Sequence, residues 1–146
     1  MRKKLAVLGW REYVDLPGLN ISGVKAKIDT GAKTSCIHAF SVETFEVDNQ
    51  VWVRFGVHPN QSDSVTETWC EAPVADYREV TDSGGHTEMR YVIITTLVIG
   101  EHAFEAELTL TDRSSMRFRM LLGRRAMKGR FAVNPGVSYR QVKLLD

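Results

Sequence analysis

Cysteine is scarce in this chain of 146 residues, which has two, Cys36 and Cys70. One possible pair is not a disulfide framework of the kind that stabilises small secreted domains, so the fold has to depend on a buried hydrophobic core. The length is sufficient to bury such a core and predicts a single domain over residues 1–146.

Long apolar runs and an excess of charge of one sign are also lacking. No stretch approaches the roughly 18 apolar residues that a membrane-spanning helix needs. The apolar part of residues 1–10 is about five residues long, against roughly 7–15 in a secretory signal. The formal net charge of +1 is too balanced to favour nucleic acid or an anionic membrane as a partner. We therefore predict a cytoplasmic protein that binds neither.

Extended structure dominates the pattern of side chains. Short segments rich in Val, Ile, Thr and aromatic residues alternate with turn formers, which is typical of strands joined by turns. After Gly100, polar and apolar side chains alternate, which predicts a hairpin with one buried and one solvated face. The predicted strands are 5–9, 24–28, 50–57, 88–99, 103–111 and 120–122.

One helix is predicted, a short one over residues 124–128 that Gly129 can cap. Two polar segments, 60–67 and 82–87, are predicted loops, and the second is a glycine-centred hairpin tip. The sequence therefore predicts an all-β fold, either barrel-like or a closed sandwich, with one short helix towards the C-terminal end.

The predicted strand 24–28 ends in the sequence Asp-Thr-Gly-Ala at residues 29–32. An aspartate at this place often caps a turn, and a glycine two residues later also fits that role. A more specific feature lies far downstream, where the apolar run 120–122 is followed by Gly123, Arg124 and the predicted helix.

Together, the strand ending in Asp-Thr-Gly-Ala, the Gly-Gly hairpin and the strand followed by Gly-Arg and a helix resemble the retropepsin family of aspartic proteases. The resemblance covers residues 21–133 and implies a barrel of the retropepsin (acid protease) type. It is closer to a bacterial branch whose members often carry the label ATP-dependent zinc protease. The segments that carry it are AKIDTGAKTSCIHA (26–39), WVRF (52–55), SGGHTEMRYV (83–92), LTLTDRS (108–114) and LLGR (121–124).

The resemblance implies a peptidase in which two aspartates share one proton and hold a water molecule. Two carboxylates at that range cannot both ionise, so one accepts a proton from the water while the other polarises the scissile carbonyl. Only Asp29 is followed by Thr-Gly here, so the pair requires a C₂ homodimer with Asp29 from each subunit at the axis. Thr30 would hydrogen-bond across that axis, and Gly31 would let the backbone approach the carboxylates.

Residues around this motif are predicted to bind the substrate. Ala32 is small enough for the crowded centre, and Lys33 occupies a position that is commonly acidic in the retroviral relatives. Residues 82–87 would form a flap that closes over a peptide and excludes water. Guanidinium groups bind carboxylates bidentately, which favours an acidic peptide or protein substrate. The predicted substrate-binding residues are Ala32, Lys33, Ser83, Gly84, Gly85, Arg90, Arg113 and Arg124.

The arginines have a second interpretation, which the sequence leaves open. Arg113 and Arg124 could instead hold the loops through ion pairs with acids such as Asp112 or Glu88, a role to which arginine is well suited.

The resemblance also implies a biological context. Similar bacterial proteins are associated with ATP-grasp ligases that add glutamates to ribosomal protein tails. Glutamate-rich tails are therefore an implied substrate, and such a ligase is an implied partner that would explain the ATP in the label. The sequence has no Gly-x-x-x-x-Gly-Lys-Ser/Thr motif for binding nucleotide, and we predict no cofactor.

Two other functions remain open at this stage. The first is a metal-dependent (zinc) hydrolase, but the candidate ligands form no His-Glu-x-x-His or Cys-x-x-Cys motif, so no metal site is predicted. The second is a non-catalytic peptide-binding module in which Lys33 pairs with Asp29 and leaves no proton to share. A cysteine nucleophile at Cys36 is a weaker alternative, and no Gly-x-Ser-x-Gly motif is present. The candidate metal ligands are Cys36, His38, His58, Cys70, His86 and His102.

Overall fold

The structure is a computed structural model that describes residues 4–82, 84–112 and 117–141. The strands in these ranges are β1 (Ala6–Leu8), β2 (Arg11–Leu16), β3 (Ile21–Ile28), β4 (Ser35–His38), β5 (Ser41–Val47), β6 (Gln50–Val57), β7 (Thr68–Pro73), β8 (Asp76–Thr81), β9 (Thr87–Ile99), β10 (His102–Thr111), β11 (Met120–Leu122) and β12 (Phe131–Val133). The short α-helix α1 is Arg124–Met127, and a 3₁₀ turn, Pro17–Leu19, joins β2 to β3.

Six strands close into a barrel. They pair in the order β10-β4-β11-β3-β2-β9, and β9 pairs back with β10 to complete the ring. Strand β8 extends the sheet beyond β9 as one arm of a hairpin. The strands β5, β6 and β7 form a separate antiparallel sheet, and β1 pairs in parallel with β12. The predicted all-β fold and closed barrel are thus confirmed.

One cluster of buried side chains fills the barrel. Leu97, Leu108, Met120 and Leu122 are fully buried within it, and they come from three different strands of the ring, β9, β10 and β11. Phe55 of β6 belongs to the same cluster, so the three-stranded sheet packs against the barrel through a shared apolar core. Burial of a side chain of this size contributes about 1.5–3 kcal/mol, which makes these contacts the main source of stability.

A buried carboxylate ties the segment after β12 back to the barrel. Glu12 on β2 is fully buried and accepts backbone hydrogen bonds from Gly9 at 2.6 Å, Arg140 at 2.9 Å and Gln141 at 3.0 Å. The Gln141 side chain in turn donates to the carbonyl of Val7 at 2.8 Å. Three converging N–H groups replace the water that an isolated buried carboxylate would lose.

The predicted elements agree with the structure where the side chains are mostly apolar. Segments 50–57 and 120–122 coincide with β6 and β11, and the other predicted strands are shifted by a few residues at their ends. The helix ends at Met127, and Gly129 follows the Lys128 cap with a left-handed φ of 77°. The unpredicted strands are β2, β4, β5, β7, β8 and β12.

Two further sequence expectations can be compared with the described ranges. Cys36 and Cys70 are buried on β4 and β7 with no disulfide between them. Across the described part of the chain, every helix is too short or too polar to traverse a bilayer.

Candidate active site

Asp29 lies where β3 leaves the barrel. β3 runs parallel to β11, and the Asp29 N–H donates to the carbonyl of Leu122 at 2.9 Å, just past the last paired residue. Its side chain folds back, so that Oδ1 accepts the N–H of Gly31 at 2.9 Å, while its carbonyl accepts the N–H of Ala32 at 3.2 Å. The half-buried carboxylate therefore shapes its own turn, as the motif suggested, and remains accessible for chemistry.

The turn at Gly123 packs directly against this loop. The Gly123 N–H donates to the buried hydroxyl of Ser35 at 2.9 Å. A Cβ at Gly123 would lie 2.7 Å from the carbonyl carbon of Thr34, so only glycine fits without a backbone shift. The first residue of α1 is thereby brought close enough for its N–H to reach the carbonyl of Ala32 at 2.8 Å.

The Arg124 side chain also holds the loop in place. Its Nη1 donates to the carbonyl oxygens of both Thr30 and Gly31 at 3.0 Å. The guanidinium thus holds the backbone of the Asp-Thr-Gly loop. Its partners are carbonyl oxygens and not the acidic side chains that the sequence suggested. Because Arg124 also lines the cleft described below, it can position Asp29 and face a substrate.

We expect Gly123→Ala to disturb this packing. Overpacking of this kind costs about 1–3 kcal/mol, and the clash is with backbone, which cannot rotate away. Urea unfolding should show a lower midpoint than wild type. Gly18→Ala is the matched control, because its Cβ would meet nothing closer than Thr95 Oγ1 at 3.4 Å. Equal midpoints for the two variants would contradict the proposed close approach.

A cleft of about 540 Å³ opens over Asp29. One wall is the loop 29–34 with the start of α1, and the other is β8 with Asp82 at its end. Ala32 and Lys33 line the cleft beside Asp29 and Gly31, whereas Thr30 points to a neighbouring cavity. This volume falls in the range of roughly 300–1,000 Å³ that is usual for ligand sites.

The hairpin of β8 and β9 corresponds to the predicted flap. At its tip, Asp82 Oδ1 accepts the N–H groups of Gly84 and His86, both at 2.9 Å, and Gly85 takes a left-handed φ of 85°. Gly84 and Gly85 stand at this tip rather than in the cleft wall, where β8 supplies the lining. The predicted Ser83 lies outside the described residues.

Arg90 reaches the cleft from β9 and is almost completely buried. Its Nε donates to Glu88 Oε1 at 2.6 Å, and the hydroxyl of Thr111 donates to the same oxygen at 2.6 Å. Its Nη1 lies 3.4 Å from Thr109 Oγ1. These contacts fix Arg90 in the wall. The predicted Arg113 lies outside the described residues.

Two further arginines in the wall lie outside the predicted substrate-binding set. Arg78 of β8 donates to Glu107 through both terminal nitrogens, at 2.8 and 3.3 Å, and Arg125 contacts the same carboxylate at 3.4 Å. The hydrogen bonds from Arg78 lower the pKa of Glu107 and raise that of Arg78 itself. Counting the strand register back from the hairpin tip would have placed Arg78 opposite Arg90, which is their observed pairing.

The residues proposed for other chemistries are dispersed. No cluster of three or more His, Cys, Asp or Glu side chains within the described ranges is arranged to hold a metal ion. Cys36 and His38 both lie within β4, and burial is the chief cause of the lowered pKa of His38. Burial raises the pKa of Cys70 to about 11, which disfavours the thiolate. No ion pair joins Lys33 to Asp29 among the described residues.

Comparisons with known proteins bear on the whole chain. A model of the family described as RimB-like, retropepsin-like aspartic endopeptidase RimB, matches residues 7–144. A probable alpha-L-glutamate ligase of Parasynechococcus marenigrum is 45% identical over 140 residues, which are 96% of this chain and 30% of that protein. Another, from Desulfotalea psychrophila, is 44% identical over 131 residues, or 90% of this chain and 28% of that protein. The chain thus spans less than a third of either curated relative.

A solved structure supports the fold independently. A Legionella pneumophila protein of unknown function superimposes with a TM-score of 0.76 and 24% identity, covering 93% of this chain and 98% of that one. At this identity the likeness establishes the architecture alone. The family match extends over nearly the whole sequence, from the first barrel strands to the segment held by Glu12. By that match, the chain belongs to the RimB-like family of retropepsin-like aspartic endopeptidases.

Proposed function

We propose that this protein is an aspartic peptidase whose catalytic pair is Asp29 from two copies of the chain. The observation that carries the proposal is the fixed position of Asp29 in the wall of the cleft, opposite the β8–β9 hairpin. Its backbone is hydrogen-bonded to Leu122, its side chain to Gly31, and Arg124 anchors its loop. A chemically active pair needs its oxygens fixed before the substrate arrives, and these contacts supply such preorganisation.

The reaction follows from two carboxyl groups that share one proton. The ionised Asp29 removes a proton from the bound water, whose oxygen attacks the carbonyl carbon of the peptide bond. The protonated Asp29 of the other copy donates its proton to the carbonyl oxygen, which gives a tetrahedral diol. Transfer of a proton to the peptide nitrogen then accompanies breakage of the C–N bond. Each Gly31 N–H holds one carboxylate oxygen and leaves the other oxygen towards the water.

The second copy is required because one chain provides a single Asp-Thr-Gly sequence. Thr30 and Gly31 are exposed in one chain, so the face that carries them is accessible to a partner. A two-fold axis through this face would bring the two Asp29 loops together, with Thr30 hydrogen-bonded across it.

Charge in the cleft favours an acidic peptide as the substrate. Five cations line it against three acids, and Lys33 and Arg125 are exposed at its edge. The curated relatives are named alpha-L-glutamate ligases, and the segment matched by this chain is part of them. We infer that the peptidase acts on glutamate-rich tails alongside an ATP-grasp glutamate ligase, which would place it in the cytoplasm. The five cations are Lys33, Arg78, Arg90, Arg124 and Arg125, and the acids are Asp29, Glu79 and Asp82.

Cleavage of matched peptides tests this function. We expect a glutamate-rich peptide to be cut about tenfold more efficiently, in kcat/KM, than the same peptide with glutamine, which corresponds to roughly 1.4 kcal/mol. The preference should shrink as salt is added, because exposed cations are screened. A chelator should leave the rate unchanged. Failure to cut either peptide would refute the peptidase, and a rate lost to the chelator and restored by zinc would favour the metal-dependent hydrolase.

A further inference from the structure

A second cavity, of about 650 Å³, adjoins the cleft. Its apolar lining comes from Met127 at the end of α1 and from Phe131 and Val133 of β12. Met127 and Phe131 are nearly buried, at 5% and 6% exposure, so they form a floor rather than a protruding patch. The cavity is therefore an open depression with an apolar base.

The rim of this cavity is strongly basic. Lys33, Arg124, Arg125 and Lys128 line it, and none of the described residues in its lining is acidic. Within the described ranges, only Arg125 of these four contacts a carboxylate, at 3.4 Å from Glu107, and both lysines are exposed. The other three cations repel one another, so an anion seated among them would be stabilised.

The two cavities are continuous along their shared wall. Lys33, Arg124 and Arg125 line both of them. The Arg125 N–H donates to the carbonyl of Lys33 at 3.1 Å, which fixes the backbones that carry these two cations next to each other. A bound peptide that extends beyond the cleft can thus enter the second cavity by passing these three cations.

We propose that the second cavity binds an acidic extension of the peptide, away from the bond that is cut. Glutamate side chains suit it, because their methylene groups can lie on Met127 and Phe131 while their carboxylates meet Lys33, Arg125 and Lys128. This inference rests on the proposed function, since it assumes that the cleft receives a peptide. Lys128 is assigned to this cavity alone, which makes it a specificity residue outside the catalytic cleft.

A second copy of the chain is the less favoured occupant. Thr30 lines the same cavity, so a two-fold axis through the Asp29 loops would pass near it. Packing the cavity against its own copy, however, would bring two sets of four cations together, with no acid among the described lining residues of either. Such like-charge contact opposes association, whereas an acidic peptide complements it.

Binding to the full chain carrying Asp29→Asn tests the proposal without cleavage. Fluorescence anisotropy would compare a short acidic peptide, which fills the cleft alone, with the same peptide extended by a run of glutamates. We expect Lys128→Gln to weaken binding of the extended peptide by about fivefold and to leave the short peptide unchanged. Lys128→Glu should weaken it further. Lys27→Gln is the matched control, an equally exposed lysine that lines neither cavity.

The outcomes separate this inference from the peptidase itself. Binding of the extended peptide that depends on Lys128, without any cleavage by wild type, would support the acidic site and refute the proposed reaction. If wild type cleaves the peptide and all three lysine variants bind the extended peptide equally well, the acidic site would be overturned and the proposed peptidase would be supported. A change in dimerisation by Lys128→Glu, measured by sedimentation, with unchanged peptide binding would show that a second copy fills the cavity and would also overturn it.

Discussion

Asp29→Asn is expected to lower the rate of peptide cleavage by about 10²–10⁴-fold, the range for loss of an acid–base group. An amide has nearly the same shape as the carboxyl but cannot take the proton from water or share one. Its oxygen can still accept the Gly31 N–H that Asp29 Oδ1 accepts at 2.9 Å, so the loop should keep its form. Peptide hydrolysis followed by mass spectrometry, with circular dichroism to verify folding, measures both effects.

Mixing the two proteins sharpens this test. If each site needs Asp29 from both copies, an equal mixture of wild type and Asp29→Asn that exchanges subunits should retain about one quarter of the wild-type activity. A site that needs only its own Asp29 would retain about half, which would refute the shared pair. Asp48→Asn is a suitable control, because Asp48 is exposed and its φ of 50° is one that asparagine readily adopts. It should cleave as wild type does.

Glu12→Ala should be the most damaging change to stability, lowering the free energy of unfolding by about 3–5 kcal/mol. A buried donor left without an acceptor, as the Gly9 N–H would be, costs about 1–3 kcal/mol, and the part-buried N–H groups of Arg140 and Gln141 would also lose their acceptor, at a smaller cost each. A whole domain is stable by only about 5–15 kcal/mol, so the loss would be a large share.

Chemical denaturation, with a comparison of midpoints and slopes, measures that loss. Glu43→Ala removes the same side chain from the exposed face of β5 and should change stability by less than about 0.5 kcal/mol. Glu12→Gln should lie between the two, since it keeps one oxygen to accept but turns an NH₂ towards donors. Equal stability of Glu12→Ala and Glu43→Ala would contradict the role of the buried carboxylate.

The sequence predicts those strands whose side chains are apolar on both faces or plainly alternating. β11 is such a strand, since it lies inside the barrel ring. β5, β8 and much of β2 carry charged residues on an exposed face, which weakened the apolar pattern that identifies a strand. β4 is the reverse case, buried throughout although it contains Ser35 and His38. Its burial comes from pairing with β10 and β11. The residues of β4 alone give no sign of this pairing.

The site was predictable to the extent that it is built from adjacent residues. Asp29, Lys33 and Arg124 follow from short motifs, and all three line the cleft. Arg78 was not predicted, because its contact with Glu107 joins strands β8 and β10, which are well separated in the chain. Ser83 and Arg113 stay predictions.

The brace on the Asp29 loop is made by a guanidinium, backbone groups and a hydroxyl. Arg124 donates to two peptide carbonyls, and Gly123 donates to the Ser35 hydroxyl. An arginine keeps its charge at any pH that a folded protein meets. In the proposed dimer, the contacts of Arg124 and Gly123 would therefore keep holding the two Asp29 loops in acid. A pH–rate profile of the proposed peptidase would then report its chemistry rather than the loss of this loop.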